Sequence, residues 1–265
     1  MMLGSVFTKT LRDNRKSLFW WGVGLFVFTF INLAFYPDFK DQTEFNKLLD
    51  GSDAVKAFAP NVTSFTAPEG YLNSQLFALM APIMLVIFAV TQGTAAIAGE
   101  ENRKTLPLLI ANPVSRERIV IDKFQALVVG TAVLTAVIFA TLTLLGPTFE
   151  LHIAFDKFVA IHLSLFLLAT TFGSLALLAG SAWGNRAGAA GIVSSLVAAS
   201  YLAYTLAPLS DAIEPFKYYS PFYYYFENDP ITNGLDWGNV GILVAITLVT
   251  FGLAILAFRR RDVRA

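Results

Sequence analysis

Counting Asp, Glu, Lys and Arg as interruptions, the chain divides into six long uncharged runs at residues 17–37, 70–99, 124–149, 158–185, 187–210 and 237–258. Each exceeds the roughly 20 residues that an α-helix needs to cross the hydrocarbon of a bilayer. None alternates as a barrel strand does, and lipid offers an unpaired backbone no hydrogen-bond partner, so the runs predict helices. The expected fold is an all-α membrane protein, a single transmembrane domain over residues 1–265 with six spans. A seventh apolar stretch, YYSPFYYYF at 218–226, is too short to cross. Its Tyr and Phe around Pro221 predict short helices or a re-entrant segment at the membrane interface before the sixth span.

Composition excludes a water-soluble domain. Hydrophobic residues make up 55% and charged residues 14%, against about 25% charged in soluble chains, and the mean hydropathy is +0.60. The formal net charge of zero gives no reason to expect nucleic acid as a partner. The absence of cysteine rules out disulfides, iron–sulfur clusters and thiol nucleophiles. Two histidines, His152 and His162, are too few for a multi-histidine metal site. The opening MMLGSVFTKTLRDNRKS lacks the apolar core and cleavage site of a removable signal, and none is expected.

Charge sets the expected orientation. With the N-terminus inside, the segments 1–16, 100–123, Arg186 and 259–265 hold fourteen basic and six acidic residues. The outside segments then hold five basic and thirteen acidic residues. Lys and Arg are retained on the cytoplasmic side, so an N-in, C-in topology is expected. The outer loops at 38–69 and 211–236 read as a solvated cap with short helices and as the aromatic segment, respectively.

The loop at 100–123 is longer than span-joining requires. Pro107 and Pro113 bracket LLIAN, so a short helix starts with Pro107 in its first turn and stops at Pro113. Ser115 is placed to cap a second helix that runs into the third span. A brief helix across the membrane surface, with Glu100 and Glu101 before it and Arg116, Arg118 and Lys123 after it, has the form of a docking element.

These residues carry a specific resemblance. AGEENRKTLPLLIANPVSRERIVIDKF is similar to the signature loop of membrane-spanning permease subunits of type 2 ABC transporters, through Glu100, Glu101, Thr105, Leu106, Leu108, Leu109, Pro113, Val114, Ser115, Arg116, Ile119 and Lys123. The likeness extends to the basic N-terminal segment, the second span and the terminal AFRRRDVRA. Two departures are Lys104, where such loops usually have Gly, and Pro107, where they commonly have Glu. The resemblance implies that this loop holds a coupling helix seated in a separate P-loop ATPase, present in two copies, with Arg103, Lys104 and Arg186 among the contacts. It implies that residues 1–16 form an amphipathic helix along the inner surface. Their pattern agrees: Leu3, Val6, Phe7 and Leu11 share a face, with Lys9, Arg12, Arg15 and Lys16 toward anionic headgroups or the ATPase.

The chain has no G-x-x-x-x-G-K-[ST] loop. ATP and magnesium are therefore expected on the partner, with no cofactor or metal on this chain and no enzymatic activity of its own. Six spans are half of what such exporters generally use, so a dimer is expected, with itself or a related permease. Gly180/Gly184 and Gly188/Gly191 are candidates for close packing, within the chain or between copies. Trp20, Trp21, Trp183 and Trp237 fall near span ends as interfacial anchors, and Pro82 predicts a kink in the second span. Asn32, Gln75, Gln92, Thr135, Thr143 and His162 are the polar groups a translocation path has to draw on, and none names a substrate. The spans carry no Asp, Glu, Lys or Arg, against a proton- or sodium-coupled carrier. The leading expectation is an ATP-driven exporter of an amphiphilic or hydrophobic molecule (a drug, peptide antibiotic or lipid) in a bacterial or archaeal cell membrane. The alternatives are an intramembrane enzyme, for which no acid pair or activated nucleophile is found, and a structural or sensory subunit.

Overall fold

The computed structural model describes residues 5–42, 64–111 and 113–261. Among them every regular element is helical. Six helices are long and apolar enough to cross a membrane: Val6–Lys40, Pro68–Asn102, Arg116–Phe149, Phe155–Trp183, Arg186–Leu209 and Trp237–Arg260. They fall on the six uncharged runs but overrun several of them, because a charge on a helix that has left the hydrocarbon is solvated and does not end it.

The first helix corrects one expectation. Val6–Lys40 is a single unbroken helix of 35 residues, about 50 Å at 1.5 Å per residue. The separate interfacial helix expected at 1–16 is, over its described part, the opening turns of the first span. No Gly or Pro lies between Ser5 and Gly22 to interrupt it. Ser5 caps its start by accepting from the Thr8 N–H, and the Phe7 N–H donates to Asp122 Oδ2 at 3.2 Å. A carboxylate from the third helix thus satisfies a donor that a helix N-terminus leaves without an intrahelical partner. Leu3 lies outside the described residues.

The fourth helix is the centre of the packing. It lies against the second, third, fifth and sixth helices, while the first packs on the third. Glycine permits the closest approach, with Gly93 of the second helix against the backbone of Gly173 and Leu177. The fourth and sixth helices are joined by Thr171–Thr247 at 2.9 Å and Ser174–Thr250 at 2.6 Å. In an apolar setting each such bond contributes about 0.6 kcal/mol. Of the glycines singled out for packing, Gly180 serves it within the chain, a Cβ there lying 3.2 Å from Thr94 O. Gly184 instead closes the fourth helix at φ +66°, and Gly191 meets nothing within 4 Å.

The second helix is irregular at both ends, with π-helical turns at Asn73–Phe77 and Ala95–Gly99. It is displaced at Ala78–Leu79, where Leu79 has φ −139°. Pro82 has no N–H for the Ala78 carbonyl and its ring crowds that carbonyl, so the expected kink appears four residues before the proline. At this end the chain before the sixth helix folds into a 3-10 turn at Glu214–Tyr219 and helices Pro221–Phe226 and Pro230–Asn233. Phe222, Tyr225, Phe226 and Ile231 are buried. Tyr225 donates to Phe77 O at 3.0 Å beside the break, and Asn73 donates to Asp229 Oδ1 at 2.8 Å. The second half of the aromatic stretch is therefore packed into the chain, while Tyr218 and Tyr219 stay exposed. In the turn between the third and fourth helices, the Lys40 ammonium hydrogen-bonds Glu150 and holds its carboxyl below the usual carboxylate range. Most of the 38–69 loop lies outside the described residues.

Candidate functional site

The loop between the second and third helices is built on a helix end of a defined kind. The Thr105 N–H donates to Glu100 O at 2.9 Å and the Lys104 N–H to Glu101 O at 2.8 Å. Lys104 is left-handed at φ 57°. These paired bonds form a Schellman motif, whose left-handed position is usually glycine because a side chain there costs energy. The departure at Lys104 is thus the occupation of a glycine position by lysine. Lys104→Gly is expected to leave the stability of the chain unchanged or raise it by up to about 1 kcal/mol. Lys104→Val, β-branched at positive φ, is expected to lower it by about 1–2 kcal/mol. The midpoint of unfolding by dodecyl sulfate checks both.

From this turn the chain enters the helix Leu106–Ile110, with Pro107 in its first turn. Leu106 and Leu109, three apart, are buried on one face. They enter an apolar cluster with Ile97, Ile119, Val120, Leu177, Ala254 and Phe258 from the second, third, fourth and sixth helices. The opposite face presents Pro107 and Leu108, the latter 69% exposed, with Lys104 and Pro113 exposed on either side. Asn112 lies outside the described residues. Ser115 caps the third helix as its position predicts, accepting from the Arg118 N–H at 3.2 Å.

Charged groups brace the loop from behind. Lys123 Nζ donates to Glu100 Oε1 at 2.6 Å with both side chains about 5% exposed. Thr105 Oγ1 also donates to Glu100, and Arg103 stands 3.7 Å from it. Glu101 pairs with Arg261, whose guanidinium also donates to Ser181 O at 2.9 Å at the end of the fourth helix. Arg116 donates to Arg261 O at 2.7 Å and lies 5.8 Å from the centre of the Phe258 ring, closing the end of the sixth helix. Glu117 pairs with Arg259 at 2.9 Å. The loop is thereby tied at once to the start of the third helix and to the ends of the fourth and sixth.

The sequence-expected residues therefore divide. Glu100, Glu101, Thr105, Leu106, Leu109 and Arg116 point into the chain, and Ser115 is a cap. Lys104, Leu108 and Pro113 face outward. Arg103 and Arg186 line a polar cavity beside the loop. Arg12, Arg15 and Lys16 are exposed on the first helix, and Lys9 is half-buried. Sequence reasoning missed Arg261 and Asp122 as anchors: Arg261 is one of three consecutive arginines, and nothing in the sequence distinguishes it from its neighbours.

The six path candidates do not converge. Asn32 and Thr135 are turned back onto Phe28 O and Thr131 O of their own helices. Gln75 is exposed near the start of the second helix, Gln92 lines the polar cavity beside the loop, and Thr143 lines a different cavity at the end of the third helix. His162 is buried, its Nδ1 2.7 Å from Phe158 O and its ring edge-on to Phe77 and Phe139, as a packed core histidine is. Among the described residues no cluster of three or more His, Asp or Glu has metal-binding geometry.

A family model described as "ABC-2 family transporter protein" matches residues 5–263. No curated protein matches the chain.

Proposed function

The chain belongs to the ABC-2 transporter family, as a multi-pass membrane permease subunit whose ATPase is a partner, and from that premise we propose that it couples ATP hydrolysis to export through the outward face of the helix Leu106–Ile110. That face, with Leu108 exposed on a helix anchored through Leu106 and Leu109, is the observation that carries the reading. An exposed apolar side chain on a rigidly held surface helix fits a groove in another protein. Lys104 and Pro113 flank it and complete the contact, while Glu100, Glu101, Thr105 and Arg116 transmit its position to the span ends.

In this reading the loop and both chain ends lie in the cytoplasm of a bacterial or archaeal cell. Two ATPase subunits carry ATP and magnesium, and two copies of this chain form the path. The scatter of polar groups within one chain supports that pairing, since one copy does not bring them to a common cavity. The cargo is amphiphilic or hydrophobic, and it moves outward by alternating access.

The chain has no cysteine, which makes a single test possible. Leu108→Cys, probed with a membrane-impermeant maleimide, should react in inside-out vesicles and not in right-side-out ones. Bound ATPase subunit should slow that reaction at least about tenfold, since a docked residue is reachable only while the complex is open. Labelling from the outside, or labelling at an unchanged rate in the complex, would overturn the assignment.

A further inference from the structure

Between the inner ends of the first, second and third helices and the start of the fifth is a cavity of about 210 Å³, many times the ~10–15 Å³ that one water requires. Its walls include Asp13 and Asn14 of the first helix, Thr91, Gln92, Glu100 and Arg103 of the second, Lys123 of the third and Arg186 of the fifth. Lys123 is committed to Glu100, and Arg103 leans toward the same carboxylate at 3.7 Å. Arg186 has no carboxylate within 4.0 Å among the described residues. Its side chain converges with that of Arg103 over Gly99: a Cβ there would lie 3.8 Å from Arg186 Cδ and 3.9 Å from Arg103 Nη2. With Glu100 and Lys123 cancelling, Arg103, Arg186 and Asp13 leave an excess of one positive charge.

Two arginine side chains on the wall of one cavity supply the kind of donor that matches phosphate oxygens, and the excess of one charge matches a phosphodiester monoanion. The depth of the cavity adds a second requirement. From Glu100 at the rim to Thr91 is nine residues, about 13 Å into the apolar run of the second helix. Thr91 also lines a groove of about 440 Å³ between the second and fifth helices, together with Ile83, Ile87, Val90, Ser194, Val197 and Ala198. That groove is almost wholly apolar, and the small residues of the fifth helix keep it open. A polar, net-cationic chamber that shares the wall residue Thr91 with an apolar groove is complementary to one molecule carrying both features.

We propose that the cavity holds the phosphodiester headgroup of an anionic amphiphile whose tail lies in the groove between the second and fifth helices. Arg186 and Arg103 bind the phosphate, Gln92 and Asn14 offer amide donors deeper and at the rim, and Asp13 opposes the anion. The claim that the bound amphiphile is cargo rests on the permease reading; the binding itself does not.

The full-length chain in dodecyl maltoside micelles is titrated with phosphatidylglycerol carrying a fluorophore on its tail. Dihexanoyl phosphatidylglycerol, dihexanoyl phosphatidylcholine and inorganic phosphate are the competitors. Arg186→Ala should weaken binding at least tenfold, Arg186→Lys should restore part of it, and Asp13→Asn should tighten it about threefold or more. A gain of affinity in Asp13→Asn cannot come from misfolding. The short-chain phosphatidylglycerol should compete, and phosphatidylcholine and inorganic phosphate should compete at least tenfold less well. Equal binding by wild type and Arg186→Ala, or equal competition by phosphatidylcholine, would overturn the headgroup assignment. Equal competition by inorganic phosphate would overturn the amphiphile. None of these outcomes touches the labelling of Leu108, so failure here and failure of the permease reading are separable.

Discussion

Lys123→Ala is expected to lower the stability of the folded chain by about 3 kcal/mol, the low end of what removing one partner of a buried ion pair costs. The effect is large because Lys123 is the closest cation to Glu100, whose side chain is nearly enclosed by the chain. Glu100 sits at the last turn of the second helix with only 3% of its surface exposed. Arg103 at 3.7 Å is its nearest remaining cation, and Thr105 its remaining hydroxyl donor. The low end of the range is chosen because those two contacts persist. Glu100→Gln combined with Lys123→Met should recover most of the loss, since a buried pair replaced whole by groups of similar volume is often neutral. Unfolding of the purified chain in mixed micelles, followed by helical circular dichroism, measures both. A stable Lys123→Ala variant would mean that Glu100 reaches solvent and that the loop is not braced as described.

The same pair shows what the sequence was able to reveal. The six spans were legible because a bilayer demands an uncharged run of a particular length, and charge marks where each run ends. It marks those ends too early for the helices themselves: Asp13, Arg15 and Lys16 stop the uncharged run but not the helix that starts at Val6. The loop helix was legible from Pro107 and Pro113, and the third-helix cap from Ser115, because these act on neighbouring residues. Lys104 was recognisable as a departure from the family pattern, and its left-handed backbone explains the glycine expected there. The partnerships of Glu100 with Lys123 and of Glu101 with Arg261 span 23 and 160 residues. No local rule connects positions so far apart, so the sequence did not reveal that Glu101 and Arg116 hold the last helix in place. The close crossing of the second and fourth helices was hidden likewise. Every span has glycines, and which of them face a neighbour is a property of the packed bundle.

That crossing gives the second large effect. Gly93→Ala is expected to destabilise the chain by more than about 2 kcal/mol and to reduce the yield of inserted, folded protein. A Cβ on residue 93 would lie 2.4 Å from Gly173 O, 2.8 Å from Ala176 Cβ and 2.9 Å from Leu177 N. Two of these are backbone atoms of the central helix, so no side-chain rotation relieves them and the helices must separate. Overpacking of this kind costs about 1–3 kcal/mol or more, and here the displaced pair is the most extensive in the bundle. Opposing it is the better helix propensity of alanine, about 1 kcal/mol, which is smaller. Gly24→Ala isolates that opposing term, because nothing lies within 4 Å of a Cβ at residue 24. It should be neutral or more stable than wild type by up to about 1 kcal/mol. Equal effects of the two substitutions would contradict the close approach of the second and fourth helices. Because Glu100 and the loop turn follow Gly93 on the same helix by only seven residues, pushing that helix outward also shifts the root of the loop helix. Gly93→Ala protein that does fold should therefore transport less per ATP hydrolysed, whereas Gly24→Ala should keep the wild-type ratio.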